Sequence, residues 1–598
     1  MSFLCFFVVT TKKKFIISNQ INQNTILMNL LSASFTTLML MALLTIIPSS
    51  LVAQKQNTDK RYMHKEVIDD PYLPMLPKDY QTSPAYSSRS SIFFTTQVNV
   101  NEDGENILFD AANEPSIAFD PTNPDRIVIG WRQFDNVASN FRQAGYGYST
   151  DAGLTWTSPE PIDAGVFRSD PVLEYDENGN FYYNSLTYNQ YGDFITDIYR
   201  IEDGGVVWDN GTYAFGGDKQ WMQIDRTGGI GNGNIYAFWT SYYSICNPDF
   251  FTRSIDEGDT YEDCVEILGN PYWGTVTVGP DGEVYTVGTT SNISAVVIKS
   301  TSAKDPDATV TWEEPTYVDL DGALTGWTNV NPAGLLGQAW IDVDRSEGPG
   351  RGNVYVLASV DRYSSSDPGD VMFARSTDGG LTWEAPIRIN TDSSPYNYQW
   401  FGTMSVAPNG RIDVIWLDTR EGNTNPYISA LYYSYSDDQG DTWSANEKLS
   451  ESFNPHLGWP NQNKMGDYFD MVSDNNGAHL AWANTINGEQ DVYYGFISQS
   501  WYVGIGDKNE DDKLFSFINY PNPFSIKTTL RYEIDKSSLV NITVYDIYGN
   551  KVIVVTDEMQ AAGIHNIVFN ANELAKGIYF CKLTAGAKSE TIKLTMIN

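Results

Sequence analysis

Ser376-Thr-Asp-Gly-Gly-Leu-Thr-Trp383 decides the fold, because each residue type in it has a mechanical task and the pattern recurs along the chain. The Asp carboxylate can accept hydrogen bonds from the backbone N–H groups of its own turn and from a nearby hydroxyl, the Gly can take positive φ, and the Trp can pin the turn onto a neighbouring sheet. Ser149-Thr-Asp-Ala-Gly-Leu-Thr-Trp156, Ser254-Ile-Asp-Glu-Gly-Asp-Thr-Tyr261 and Ser436-Asp-Asp-Gln-Gly-Asp-Thr-Trp443 repeat it. A fifth segment, Ile201 to Trp208, keeps Asp203, Gly205 and Trp208 only.

Outward from these turns the chain between Phe93 and Ile497 reads as short strands. Runs such as Ile127-Val-Ile-Gly-Trp131 and Ile412-Asp-Val-Ile-Trp416 carry the β-branched and aromatic residues that suit a pleated sheet. Upstream of the turns a second unit recurs, an apolar strand, a polar turn and another apolar strand: Glu114-Pro-Ser-Ile-Ala-Phe-Asp120, Ser169 to Asp176, Lys219 to Asp225, Tyr272 to Val278, Gln338 to Asp344, Gln399 to Val406 and Gly466 to Val472. The turns that follow, such as Pro280-Asp-Gly282 and Pro408-Asn-Gly410, are hairpin signals; they lack the five-oxygen spacing of an EF-type loop, and structural calcium stays open.

The repeated eight-residue turn resembles the Asp-box, S-x-D-x-G-x-T-W, of sialidase-like BNR repeats. The resemblance implies an all-β chain over 92–500, a β-propeller with seven blades favoured and six as the alternative, since sialidases form six-bladed rings. Seven units of four strands leave the last unit short of its outer strand, which Phe94 to Asn101 would supply. It also implies that Asp151, Asp256, Asp378 and Asp438 are structural, on the face away from any substrate pocket.

On the opposite face, where the loops entering first strands and leaving second strands gather, the same resemblance places the candidates for chemistry. Arg132, Arg168, Arg362 and Arg420 would grip an acidic sugar or a carboxylate-bearing peptide bidentately. A hydrolase would add Tyr468 as nucleophile, backed by Glu114, with Asp170 as acid/base. Trp221, Trp273, Trp340, Trp400 and Asp418 complete the ligand-binding candidates. The F/Y-R-I-P motif of sialidases is absent, and Phe167-Arg-Ser-Asp-Pro171 only echoes it. Each charged residue also has a bland account, Asp418 pairing with Arg420 and the Trp residues packing between blades. The expectation is therefore a surface or secreted propeller that binds a glycan or protein ligand without catalysis; an exo-sialidase or other glycoside hydrolase is the alternative. No motif points to a cofactor.

The 598 residues include 38 Lys+Arg and 75 Asp+Glu, for a net charge of -37. Residues 1–53 hold three Lys and no acid, so the remainder carries -37 - 3 = -40, which excludes nucleic acid and anionic membrane surfaces as partners. Residues 1–53 read as a signal peptide, with Met28 an equally sensible start; an uncleaved anchor is the alternative, since the apolar run 38–47 is shorter than the about 20 residues a span needs. A mature protein without an integral span follows from the cleaved form. Residues 54–91 and 501–518 read as linkers. Four His, two of them in the central region, and four Cys argue against a metal site; Cys246 and Cys264 flank the turn at Asp256, either as a disulfide or as two buried thiols.

From Asn519 a different module begins. Tyr520-Pro-Asn-Pro-Phe524, Val540-Asn-Ile-Thr-Val-Tyr-Asp546, Leu574-Ala-Lys-Gly-Ile-Tyr579 and Thr591-Ile-Lys-Leu594 form a small sandwich pattern that resembles the type A C-terminal sorting domain of type IX secretion. That resemblance implies the secretion machinery as partner and passage through the periplasm to the cell surface or the medium.

Overall fold

The computed structural model describes residues 69–73, 81–498 and 517–597, apart from loop positions 203, 242, 243, 291–294, 423, 424, 535, 547–549, 573 and 587. The expected signal peptide 1–53, the expected linker 501–518 up to residue 516 and most of the expected linker 54–91 lie outside the described residues, whereas 517 and 518 belong to the strand Phe517–Tyr520. The chain forms two compact units, one ending at Tyr502 and one beginning at Val503.

Among the described residues the first unit is a ring of seven antiparallel sheets, blades I to VII, with an eighth, two-stranded sheet of Gln81–Pro84 and Glu105–Leu108 outside the blades. Their inner strands are Ala111–Phe119, Ser169–Tyr175, Trp221–Ile224, Val276–Val278, Trp340–Val343, Gln399–Val406 and Asp470–Ser473. Each blade runs outward from there; blade VI, for example, is Gln399–Val406, Ile412–Asp418, Ala430–Ser436 and Glu447–Lys448. Blade VII takes its fourth strand from the N-terminal side: Phe93–Gln97 pairs antiparallel with Asp491–Ser498, with Phe93 opposite Ile497. The strand starts one residue before the expected one and ends four residues earlier. Trp482 Nε1 donates to Thr95 Oγ1 at 3.1 Å, tying the joint from within the sheet. Drawing one blade from both ends of the propeller closes the ring, and the radial sheets are left with only short, protected edges.

Every inner strand is entered through a residue with positive φ: Glu114, Asp170, Lys219, Trp273, Gly337, Phe401 and Gly466. One such residue per blade is a seven-fold signature independent of the Asp-boxes. In blades I, II and VI it coincides with a register shift against the second strand. The inner strands are laced to one another by side chains. Ser116 Oγ accepts from Leu173 N at 2.8 Å, Thr275 Oγ1 from Ile341 N at 3.1 Å, Asp342 Oδ2 from Val406 N at 2.8 Å, and Asp470 Oδ2 from Ile117 N at 3.1 Å.

In all four complete eight-residue turns the Asp accepts from its Thr N–H and Thr hydroxyl and from the Ser hydroxyl; at Asp378 these distances are 2.8, 2.6 and 2.8 Å. The turn aromatic lies on the preceding blade. Trp156 of blade I packs on Tyr494 of blade VII at 5.6 Å, and Trp443 of blade VI on Phe373 of blade V at 5.1 Å. Cys246 and Cys264 are joined as a disulfide in blade III.

The second unit is a seven-stranded sandwich. Phe517–Tyr520, Lys527–Ile534 and Gly563–Asn570 form one sheet; Lys551–Gln560, Ser538–Tyr545, Gly577–Ala585 and Lys588–Met596 form the other. Leu530, Tyr532, Val540, Ile542, Val544, Leu583 and Leu594 fill the space between them.

Candidate functional site

The propeller axis has two mouths, and the structure treats them oppositely. At the mouth where the loops into first strands and out of second strands gather, the axis is filled by side chains. Glu114 pairs with Arg132 at 3.2 Å and with Lys464 at 3.3 Å; Asp467 pairs with Lys464 at 2.9 Å and with Lys219 at 2.8 Å; Lys219 also meets Asp170 and Asp218 at 3.5 and 3.4 Å. All seven residues are buried. Burial pushes the Glu114 carboxyl up to about 7, against the pull of Arg132 and Lys464. Burial also pushes Asp170 upward, but Lys219, Arg132 and Lys464 outweigh it and hold the group below its ordinary value.

This arrangement corrects the expected site. The structure does bring Glu114, Asp170, Arg132 and Tyr468 to one place, but as a plug. Tyr468 is 1% exposed, its hydroxyl donates to Pro171 O at 2.7 Å, and burial holds its pKa well above the ordinary value, so it offers no nucleophile. The other arginines stand apart, each neutralised by acids of its own blade or of the connection leading into it. Arg168 is held by Asp163 and Asp197, both at 2.8 Å; Arg362 by Asp321 and Asp370; Arg420 by Asp418 at 2.6 Å while it lies 4.3 Å over the Tyr432 ring. Four guanidinium groups so partnered do not form a triad. Trp221, Trp273, Trp340 and Trp400 are buried as well, through packing: Trp221 lies against Trp340 at 5.0 Å and Tyr468 at 5.3 Å, Trp273 against Trp327 at 5.9 Å and Trp400 against Phe401 at 4.5 Å.

At the other mouth, where the turns between first and second strands lie, a cavity of about 450 Å³ runs into the axis. Trp221 and Trp340 line it beside Ile117, Leu173 and Met404 from the inner strands, and Pro280, Pro408 and Glu347 come from the turns. Its walls carry Glu174, Asp342, Asp470 and Glu347 with Arg226, Arg345 and Arg351. Glu174 is paired with Arg226, which lies 4.1 Å over the Tyr175 ring, and accepts from Gln223 Nε2 at 2.6 Å. Arg345 pairs with Asp342 at 2.8 Å and donates to Val278 O at 2.7 Å. Burial pushes Asp470 up to about 7, although Ser116 Oγ, Ile117 N and Met471 N all donate to it.

Arg226 and Arg345 were missed in the sequence, yet a signal was present. Asp225-Arg-Thr-Gly-Gly-Ile-Gly-Asn-Gly-Asn234 in blade III and Asp344-Arg-Ser-Glu-Gly-Pro-Gly-Arg-Gly-Asn353 in blade V are the same extended turn. In both, the carboxylate opening the turn caps it, accepting from Thr227 N and from Ser346 N at 2.8 Å, and the next residue sends its guanidinium to the cavity wall. The cavity shares its face with the eight-residue turns: Asn353 Nδ2 of the blade V turn is 3.4 Å from Gln439 Oε1 of the blade VI turn.

Among the described residues no group of three or more His, Cys, Asp or Glu is placed to hold a metal ion, and no helix is long and apolar enough to cross a membrane. No curated protein matches the chain. Among solved structures it is similar to a protein of unknown function from Dyadobacter fermentans, at 15% identity and TM-score 0.40, covering 68% of this chain and 97% of that one. It is also similar to PorZ of Porphyromonas gingivalis (13%, 0.35, 81% and 59%) and to the Hadza microbial sialidase Hz136 (13%, 0.34, 65% and 66%). The blade count and the site rest on the geometry above and not on these likenesses. Residues 519–598 match the secretion system C-terminal sorting domain, and the protein is accordingly cargo of the type IX secretion system, exported to the cell surface or the extracellular space.

Proposed function

We propose that this exported propeller is a glycan-binding protein without hydrolytic activity, and that its ligand enters the axial cavity from the face of the eight-residue turns. The carrying observation is the cavity itself. Its volume of about 450 Å³ falls within the about 300–1,000 Å³ of small-ligand sites, and indole surface stands beside fixed polar groups in its walls. A sugar ring presents an apolar face and a rim of hydroxyls, which the Trp340 indole edge and the polar groups of Arg345, Thr277 and Gln223 in the same lining suit. Hydrolysis is disfavoured because Asp470, though held near neutrality, has both oxygens engaged in bonds to Ser116, Ile117 and Met471, and because Tyr468 is sealed.

The test is to offer the purified protein fluorogenic sialosides and a glycan array together. Retention on the array without turnover supports the reading. Release of fluorophore would replace it with the glycosidase alternative. Binding that survives Arg345→Gln unchanged would move the site away from the cavity.

A further inference from the structure

A short N-terminal segment lies against the plugged face, outside every blade. Arg142, in the loop leaving the second strand of blade I, is 1% exposed and pairs through Nη1 with Asp69 at 2.8 Å, while its Nε donates to Ser169 Oγ at 3.1 Å. Beside it, Asp70 N donates to Asn140 Oδ1 at 2.6 Å and Asn140 N donates back to Asp70 Oδ2 at 3.0 Å. Next comes Pro71, and then the Tyr72 ring packs 5.3 Å from Phe141. A side chain at Gly165, where φ is +84°, would meet that ring at 3.0 Å, so the glycine leaves the ring its seat. Past Tyr72 a groove of about 230 Å³ continues between Leu73 and Asp135, Asn136 and Ser139.

These contacts differ in kind from the rest of the fold. Arg168, Arg362 and Arg420 are neutralised by acids of the propeller's own blades and turns, whereas Arg142 takes an acid from a segment that joins no sheet over 69–73. The segment is held through two adjacent carboxylates, Asp69 by the Arg142 guanidinium and Asp70 by the Asn140 backbone N–H, and through a ring, as a bound peptide is held. We propose that residues 69–73 occupy, in cis, a peptide-recognition site of blades I and II whose ligand class is a short segment carrying adjacent Asp residues, a Pro and an aromatic ring. Displacing the segment opens that site to a peptide of the same chemistry in trans. This site is independent of the axial cavity and does not rest on the glycan reading.

The test uses the full chain carrying Asp69→Ala, Asp70→Ala and Tyr72→Ala, with a labelled peptide of sequence Val-Ile-Asp-Asp-Pro-Tyr-Leu followed by fluorescence anisotropy. The triple variant is expected to bind the peptide saturably, more weakly as salt is raised, and at least about tenfold more tightly than the wild type, whose site is filled. The same peptide with both Asp replaced by Asn, which leaves the protein untouched, is expected to lose about tenfold or more. A folded variant that ignores the peptide, or binds the Asn form equally well, overturns the proposal. A variant that does not fold also overturns it, because the segment would then be part of the propeller's core and not a separable ligand.

Discussion

The two mouths of the axis carry the same charge inventory. The plug holds four acids, Glu114, Asp170, Asp218 and Asp467, and three bases, Arg132, Lys219 and Lys464; the cavity walls hold Glu174, Asp342, Glu347 and Asp470 with Arg226, Arg345 and Arg351. What differs is where the backbone puts them. Glu114, Asp170 and Lys219 stand at the left-handed entry positions of their strands, and with Asp218 and Asp467 beside such positions their short reach converges on the axis. Arg226 and Arg345 stand on glycine-rich turns that open outward, and their charges are held against the wall. A census of ionisable residues therefore says nothing about which mouth is open. The entry geometry of the inner strands decides it.

The comparison is broken most forcefully at its hub. Asp467 is shared by Lys219 and Lys464, so Asp467→Ala leaves two buried ammonium groups short of their counter-charge. Removing one partner of a buried pair costs about 3–5 kcal/mol, and the denaturant midpoint is expected to fall accordingly. A loss below about 1 kcal/mol would mean the plug is hydrated and open, and the two mouths alike.

Asp470 tests the other mouth through pH. Its folded pKa of about 7 lies above the ordinary carboxyl value of 3.8, so between these values the folded state keeps a proton that the unfolded chain releases. Stability from this group is present below about pH 4 and is lost as pH rises toward 7, at up to about 1.4 kcal/mol per pH unit. Asp470→Asn keeps an acceptor for Ser116 and Ile117 but cannot titrate. The variant is expected to gain on the wild type steadily from pH 4 to 7 in urea titrations. Parallel curves would show that Asp470 is solvated and ionised throughout.

A smaller effect separates the mouths by ligand. Arg345→Gln, at the open mouth, is expected to weaken glycan retention about tenfold, worth about 1.4 kcal/mol, whereas Arg420→Gln should leave retention unchanged because Arg420 is committed to Asp418 in blade VI. Equal losses in both would remove the distinction.

Much of the architecture was legible because it is local and repeated. The eight-residue turns mark the end of the third strand in blades I, III, V and VI, and the apolar units mark all seven inner strands, so seven blades and a strand borrowed from the N-terminal side follow from counting. The site was less legible because it is non-local. That Arg168 meets Asp197 and Asp163, or that Tyr468 donates to Pro171 O across 297 residues, depends on how neighbouring blades abut, and no periodicity encodes it. Fold analogy pointed to the loop face, but bulky side chains at the strand entries closed that end of the axis. The duplicated Asp-Arg turn of blades III and V was the overlooked clue, since a turn repeated in two blades and lacking in the others has a local task beyond closing a hairpin.

The mildest expected effect lies at the rim of the open mouth. Thr382 N and its hydroxyl, together with Ser376 Oγ, hold the Asp378 carboxyl at about 2, yet the residue is exposed, so water replaces lost partners cheaply. Its stabilising contribution is present above about pH 4 and is lost as pH falls toward 2, the reverse of Asp470. Asp378→Ala should cost at most about 1 kcal/mol at neutral pH by urea titration, and the difference from wild type should shrink as pH falls from about 4 through 2. Glycan retention should not change, because the turn's task is to fix the hairpin that seats Trp383 against Thr316 of blade IV, where the indole N–H donates at 3.2 Å. The opposite result would be informative, since the blade V turn that supplies Arg345 to the cavity meets the eight-residue turn of blade VI at Asn353 and Gln439. Normal stability with lost retention would make the turns part of the binding surface, and the ligand would then have to extend from the axis across the rim.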